Sequence, residues 1–504
     1  MAAEIANRQI LFIIGCFVGS IFDIRPSMVQ YTCRKSCLFA LDLFVPLASP
    51  KVLRIVQNSN EICFCTRLIR TVGFAQGTSS RQNANGICFC ARLIRTFAVG
   101  ILNECVIMML LFEICLLAAA LAADVFIYRN LVRPRGWSKA VKTVVSVSVV
   151  LPDFLVVAMP LLYSFLDNRN PLTMHILMWC TFSFILVLLF KLFLVAGCAS
   201  AKRRGSRIYA FAGIAAGLAC AAVMICGATV GRSTIRVERI QVCSPRLPEG
   251  FDSFRIVQFS DLHVGSLMNP ERFISRLVDT VRSLSPDLVA FTGDLVNIRY
   301  SEITPPLFEL LSRIDAPYGV YSVLGNHDLG FYIKDTLALP VEQNLRALSE
   351  IQRSLGWCLL SDSSVYVHAG GDSILLTGLG FPQQARLHGH NSVLAGTDIA
   401  AAYASADTAV YNLVLAHAPQ LWDTLCEMNR SDLTLSGHVH AMQMKLRLFG
   451  REFSPARAVY EHWSGAYRRG LRTLYVNDGL GCVMYPMRIG ARPEVTLIEL
   501  RRCE

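Results

Sequence analysis

Five short signatures in the second half of the chain carry the side chains best suited to chemistry: Asp261-Leu-His263, Gly293-Asp294, Gly325-Asn326-His327-Asp328, His417 and Gly437-His438-Val-His440. Each follows a short apolar run, at Phe254 to Ser260, Leu288 to Phe291, Val320 to Leu324, Leu413 to Leu415 and Leu433 to Leu435. In α/β sheets, ligands gather outside the carboxyl ends of strands, so residues far apart in sequence meet on one patch. Four His, two Asp and one Asn would then surround one place. Seven such ligands exceed what one tetrahedral ion accepts, and the imidazole-carboxylate mix suits Mn, Fe, Zn or Co better than Mg. A pair of divalent ions is the economical solution. Such a pair, about 3.5–4 Å apart, polarises a phosphoryl oxygen, turns a bridging water into hydroxide and steadies the leaving oxygen.

The elements that must position these residues read as α/β: short strands ended by Gly, Asp, Asn or His alternate with helical stretches. Asn269 and Pro270 cap a helix whose Ile274, Leu277, Val278 and Val281 share one face. The whole chain is 504 residues long, 53% apolar and 17% charged. That is too oily for a soluble enzyme and too charged for a pure transporter, so a membrane block must sit beside one sizeable soluble core. Disordered and fibrous classes are excluded. The net charge of +11 comes mainly from Arg, since only eight of the 48 basic residues are Lys. This suits anionic partners, and equally topology signals in membrane loops.

Four stretches are long enough to span a bilayer: Val106 to Tyr128, Thr143 to Leu166, Met174 to Cys198 and Ile208 to Val230. Arg129, Arg133, Arg135, Lys139 and Lys142 fill the first connection, Asp167 and Arg169 the second, and Lys202, Arg203, Arg204 and Arg207 the third. The positive-inside bias makes the first and third connections cytoplasmic and puts everything after Val230 on the outer face. Arg232, Arg236 and Arg239 pull the other way. Asp153 and Lys191 fall inside spans at depths within about 5 Å of each other, as for a structural ion pair, with a transport or ligand role the alternative.

Before this block the sequence is irregular. Residues 57–71 and 82–96 are near-duplicates, each with a Cys-Phe-Cys (Cys63 and Cys65, Cys88 and Cys90). Two copies are too few for a solenoid, and they read as a local duplication without metal, with a soft-metal site made by the four thiols the alternative. The run Ile10 to Phe22 is too short to cross a bilayer. The pattern becomes regular only near Met108 and Met109, so residues 1–104 read as an upstream extension, 105–231 as the membrane block and 232–504 as the catalytic domain. The five cysteines of the polar half, Cys243, Cys358, Cys426, Cys482 and Cys503, show no regular spacing and no visible disulfide framework.

The five signatures in this order resemble the calcineurin-like metallophosphoesterase superfamily. The segment Tyr475 to Gly481, with Pro486-Met-Arg488 and Arg492-Pro-Glu494, is similar to the closing part of its bacterial membrane-associated branch. The resemblance covers about Ile235 to Leu500. It implies a four-layer double β-sandwich and two metals, with Mn, Fe or Zn expected. One would be held by Asp261, His263 and His440, the other by Asn326, His417 and His438, with Asp294 bridging. His327 would contact the phosphoryl group and protonate or steady the leaving oxygen. Where this branch usually has two glycines and a Gln after the last His, the chain has Ala441, Met442 and Gln443, so that loop is bulkier and its backbone less free.

Other residues carry plainer readings. His388 and His390 fall in a solvated loop, His368 and His462 read as structural, Asp328 either orients His327 or caps a turn, and Arg488 faces either a phosphate or a surface ion pair. Arg468, Arg469 and Arg472 lack interleaved aromatics, so no nucleic acid is expected. The expectation is an integral enzyme of the bacterial cytoplasmic membrane, with an extracytoplasmic dinuclear site that hydrolyses phosphate esters. A lipid-linked pyrophosphate or a phospholipid is the alternative substrate, and a non-catalytic metal-binding receptor or transporter the alternative class.

Overall fold

The computed structural model describes residues 117–154, 168–381, 397–404, 406–407 and 409–503. The Cys-Phe-Cys duplicates and the His388-Gly-His390 loop therefore lie outside the described residues. Residues 117–127 are helical (α1), and Lys139–Val150 forms α2, continued by a tight turn over Leu151–Asp153. Pro171–Arg204 is a single 34-residue helix, α3, and Ile208–Cys226 is α4, extended by a wider turn over Gly227–Gly231. Asn170 caps α3 by accepting from Leu172 N, with Pro at its first turn, and Gly205 ends it in the left-handed conformation. Gly197 and Gly213 let α3 and α4 touch backbone to backbone, since a Cβ on either would meet the other's Cα at 2.7 Å.

Among the described residues, α3 and α4 are the two helices long and apolar enough to cross a membrane, with mean hydropathy of 2.5 and 2.2. The helix of a soluble core would be mostly buried, yet only 28% and 11% of these apolar windows are. The described residues thus show two of the four expected spans. The first and second expected stretches, Val106 to Tyr128 and Thr143 to Leu166, run into residues outside the described set. The expected pairing of Asp153 with Lys191 is present at 2.8 Å, and Asp124 of α1 adds a second carboxylate at 2.7 Å.

The remainder is built on two six-stranded sheets. The first sheet contains β1 (Arg236–Ser244), β2 (Arg255–Phe259), β3 (Leu288–Phe291), β4 (Val320–Ser322) and β5 (Trp357–Leu359), with β14 (Glu494–Arg502) inserted between β1 and β2. The second, in the order β12-β13-β9-β8-β7-β6, uses Gly465–Arg469, Arg472–Val476, Leu433–Ser436, Asn412–Ala416, Asp372–Leu379 and Ser363–Ala369. A two-stranded ribbon, β10 (Leu446–Leu448) with β11 (Arg451–Phe453), stands apart. Strands β2 to β5 run parallel, as do β13, β9, β8 and β7.

Side chains alternate across each strand, and both faces of the central strands are apolar, as buried parallel strands require. Ile256, Leu288 and Ala290 point between the sheets, against Leu376, Leu413, Leu415 and Leu435. Val257, Val289 and Phe291 point the other way, toward the helices. There α5 (Pro270–Ser283) buries Ile274, Leu277, Val278 and Val281 completely, and Asn269 caps it from Arg272 N. The apolar runs expected from sequence are β2, β3, β4, β8 and β9, and their carboxyl ends face one edge of the sandwich.

One pairing was not legible. Cys243, at the end of β1, forms a disulfide with Cys503, just past β14, with Cα atoms 5.7 Å apart.

Candidate metal centre

Each strand end delivers its ligand through a tight turn. Asp261 and His263 follow β2, Asp294 follows β3, Asn326 and His327 follow β4, His417 follows β8, and His438 and His440 follow β9. Five of the seven candidate ligands sit at left-handed φ although none is glycine: Asp261 (51°), His263 (41°), Asp294 (60°), His438 (74°) and His440 (53°). Such conformations cost about 1–2 kcal/mol each for ordinary residues and persist where surrounding structure enforces them. Close approach enforces them here. A Cβ on Gly437 would lie 2.3 Å from Asp261 Oδ2, and one on Gly325 would lie 2.1 Å from Asp294 Oδ1.

All seven side chains and His327 come together. His263 Nε2 and His440 Nε2 face each other at 3.1 Å, and Asp261 Oδ1 lies 3.1 Å from His440 Nε2. Asp294 Oδ2 stands between the two groups, 3.6 Å from His263 Nε2 and 3.2 Å from His417 Nε2. Asn326 Oδ1 lies 3.2 Å from His417 Nε2 and 2.9 Å from His438 Nδ1. His417 Nδ1 donates to Thr292 O at 2.7 Å, which leaves the Nε2 lone pair pointing inward. His327 Nδ1 donates to Asn297 O at 2.6 Å, and its backbone N–H donates to Asp294 Oδ1.

The electrostatics are those of a cavity that needs cations. Burial alone would raise Asp261 and Asp294, yet the imidazoles of His440 and His417 hold both carboxyls well below the usual range. Burial would lower His417, but the Asp294 carboxylate outweighs it and pushes the imidazole up to about 9. Burial lowers His263 and His327, and neighbouring imidazoles lower them further.

The donor set fits divalent metal. Ligand atoms about 2.0–2.2 Å from a common ion lie about 3 Å from one another, which is the spacing found between these nitrogens and oxygens. Three overlapping groups have ligand atoms that all lie within 4.8 Å of one another: Asp261, His263 and His440; Asp261, Asp294 and His417; and His263, Asp294 and His327. Two inward nitrogens at 3.1 Å repel unless a proton or cation sits between them.

Several supporting residues were only half seen, or missed, in the sequence. Asp328 neither caps an isolated turn nor touches the His327 ring: its carboxylate accepts from the backbone N–H of Asp294, Leu295, Val296 and Gly325 at 2.8–3.2 Å, and so clamps two ligand loops together. Burial, with the charge of Asp294, pushes its carboxyl up to about 7. Glu302 likewise accepts from Gly265, Asn297, Ile298 and Arg299. Tyr332 stacks on His327 at 4.2 Å, and its hydroxyl accepts from Asn326 Nδ2, which turns the amide oxygen inward.

Arg488 is neither a phosphate ligand nor a surface ion pair. It is fully buried, donates to the carbonyls of Gly481, Asp478 and Ala491, and reaches His440 Nδ1 at 3.1 Å. His462 packs between Trp422 and Tyr467, and Arg469 pairs with Asp423. At the loop after His440, Ala441 and Met442 adopt φ of 48° and 47°. Glycine would rest there unstrained.

Residues 254–442 match the profile of the calcineurin-like phosphoesterase family. The chain is 30% identical over 262 residues to the metallophosphoesterase YkuE of Bacillus subtilis, covering 51% of this chain and 82% of that protein. It is 29% identical over 275 residues to the transmembrane protein with metallophosphoesterase domain of Danio rerio, of whose length it spans 57%. It is 27% identical over 304 residues to the UDP-2,3-diacylglucosamine pyrophosphatase LpxG of Chlamydia trachomatis, covering 52% of this chain and 88% of that protein. Strand-end ligands, their spacing and these likenesses agree: the chain belongs to the calcineurin-like phosphoesterase family, a family of metal-dependent hydrolases.

Proposed function

We propose that the protein is a membrane-anchored phosphoesterase acting on lipid-linked phosphoesters at the bilayer surface. Asp261, His263 and His440 form one ligand set, Asn326, His417 and His438 the other, and Asp294 is shared. Two divalent ions bound there supply Lewis-acid polarisation of a phosphoryl oxygen and a water nucleophile at neutral pH. The chain's own residues do the rest. The Asn297 carbonyl holds Nδ1–H and leaves Nε2 as the nitrogen that meets the substrate; with the ring doubly protonated, Nε2–H would pass its proton to the departing oxygen and leave the neutral imidazole behind. Tyr332 and His263 hold that ring at 4.2 and 4.5 Å.

The observation that carries the lipid assignment is where α3 begins. Asn168, just before it, accepts from Arg299 Nη2 and donates to Tyr332 O; Arg169 pairs with Asp335; and Met174, like Tyr332, packs against Ile298, Ile333 and Leu339. The helix thus starts on the loop that carries His327, while its far end holds Lys202, Arg203 and Arg204. Such a basic end suits the cytoplasmic side and leaves the catalytic domain outside. The Cys243–Cys503 disulfide supports the same side, since disulfides persist in oxidising compartments. In this reading residues 105–231 are the anchor, with four spans, and 232–504 the catalytic domain.

Likeness to LpxG favours a second reading, cleavage of a pyrophosphate bond in a nucleotide-linked lipid. One panel tests both. The full chain in detergent is given a soluble phosphodiester, a soluble monoester, a phospholipid and a nucleotide-diphosphate lipid, with Mn²⁺ or with chelator. Turnover that needs metal and is lost in Asp294→Ala and His327→Ala upholds hydrolysis, and the preferred substrate separates the readings. Metal-loaded, folded protein inert on all four would sink both.

A further inference from the structure

We infer that a groove on α3 is the slot that seats an acyl chain of the substrate; this rests on the lipid phosphoesterase reading above. The groove has a volume of about 370 Å³ and is lined by one face of the helix, Leu172, His175, Ile176, Trp179 and Ser183 among others, and by Met268 of the catalytic domain. From Leu172 to Ser183 the helix rises about 16 Å, so the groove is elongated along the span. Its upper end is the catalytic domain itself. Met268 stands just beyond the Val264–Ser266 turn that follows His263, and α3 packs against that turn.

Two observations select an amphiphile over a purely apolar occupant. The guanidinium of Arg232 lies 5.6 Å above the Trp179 ring, which puts a cation beside the apolar wall. His175 Nε2 is buried without a hydrogen-bond partner. An acylated phosphoester satisfies both: its tail covers Leu172, Ile176 and Trp179, and the polar ester linkage of the acyl chain, part-way down from the phosphate, meets Arg232 and reaches toward His175. A tail running down α3 from Met268 leaves its phosphate at the level of His263. The slot therefore selects substrates with at least one long chain, because each buried methylene contributes to binding.

The test uses the full chain in phosphatidylcholine vesicles doped with phosphatidylglycerol carrying a diazirine at the end of one acyl chain, together with a pair of phosphodiesters that differ only in having a long chain or none. Labelling is expected on the Leu172–Ser183 face and at Met268. Ile176→Trp, which fills the groove, and Met268→Glu, an exposed loop change that spares the helix, should each cut that labelling about fivefold or more. Label on the lipid-facing Phe211 and Leu218 of α4 should persist. The ratio of kcat/KM for the long-chain over the chainless ester should fall about tenfold in both variants. Labelling that is indifferent to both substitutions, or a ratio unchanged in both, overturns the slot. Groove-dependent labelling of a protein that hydrolyses no ester upholds the slot and removes the hydrolytic reading instead.

Discussion

Arg488 joins the last membrane-length helix to the candidate metal ligand His440: its backbone N–H donates to Gly227 O at the end of α4, while its Nη2 lies 3.1 Å from His440 Nδ1. A guanidinium only donates, so Arg488 holds the His440 ring without accepting its N–H; groups that fix the orientation of a ligating ring typically cost about 10–100-fold in metal affinity or activity when lost. Arg488→Lys keeps the charge but abandons the fork that serves Gly481, Asp478 and Ala491. Metal content after dialysis against a graded chelator should fall within that range, with the fold retained by circular dichroism.

Asp328 makes a second prediction. Asp328→Ala strands four buried backbone N–H groups, at about 1–3 kcal/mol for each unsatisfied donor. Chemical denaturation should show a loss of several kcal/mol, and hydrolysis should fall as the Asp294 and Asn326 loops separate. Asp328→Asn, with one acceptor oxygen left, should fall between.

Ala441 offers the opposite sign. It occupies left-handed φ with its side chain fully buried. Ala441→Gly removes a strain of about 1–2 kcal/mol and adds some unfolded-state entropy. A net gain of about 0.5–1 kcal/mol is expected in the denaturation midpoint. A loss would mean that the Ala441 methyl contributes more to packing than its backbone costs.

Glu494 should make stability fall as pH rises. Burial, together with the Asp478 charge, pushes its carboxyl up to about 7 from an ordinary value of 4.5. A raised carboxyl pKa means the folded state binds the proton more tightly, so the stabilisation is complete below about pH 4.5 and is lost as pH climbs through about 7. Glu494→Gln, which keeps an acceptor for Tyr475 Oη, should flatten this dependence. Its melting temperature relative to wild type should rise between pH 5 and pH 8.

Lys191 neutralises two carboxylates in a buried site, Asp124 and Asp153. Lys191→Met leaves both uncompensated and should destabilise the chain by about 3–5 kcal/mol. The triple variant with Asp124→Asn and Asp153→Asn should recover most of that loss. Thermal unfolding in one detergent compares all three proteins.

The strand ends were legible because short apolar runs followed by Gly-Asp or Gly-His leave little alternative to a buried parallel strand and a tight turn. That is how Asp261 and His440, 179 positions apart in the sequence, could be placed together. What stayed hidden depends on tertiary surroundings. No pattern marks Asp261 or His438 as left-handed, since the cause is the approach of Gly437 and Asp261 across two loops. Arg488 read as facing a phosphate or a surface ion pair because its partners are backbone carbonyls, which sequence does not display. Asp124 sits near one end of an apolar stretch and met Lys191 only through helix packing. Tyr332 carries no motif, yet it turns the Asn326 amide.

The position of β14 bears on how the protein is made. It lies between β1 and β2 and is joined through Cys503 to Cys243, 260 residues earlier. The first sheet therefore keeps a gap during synthesis until residues 494–502 have left the ribosome. Until then β1 and β2 present unpaired edges, and the nascent domain needs a holding chaperone or rapid completion of the chain. A ribosome stalled before residue 494 would leave a chain with every metal ligand translated and the sheet that orients them still open.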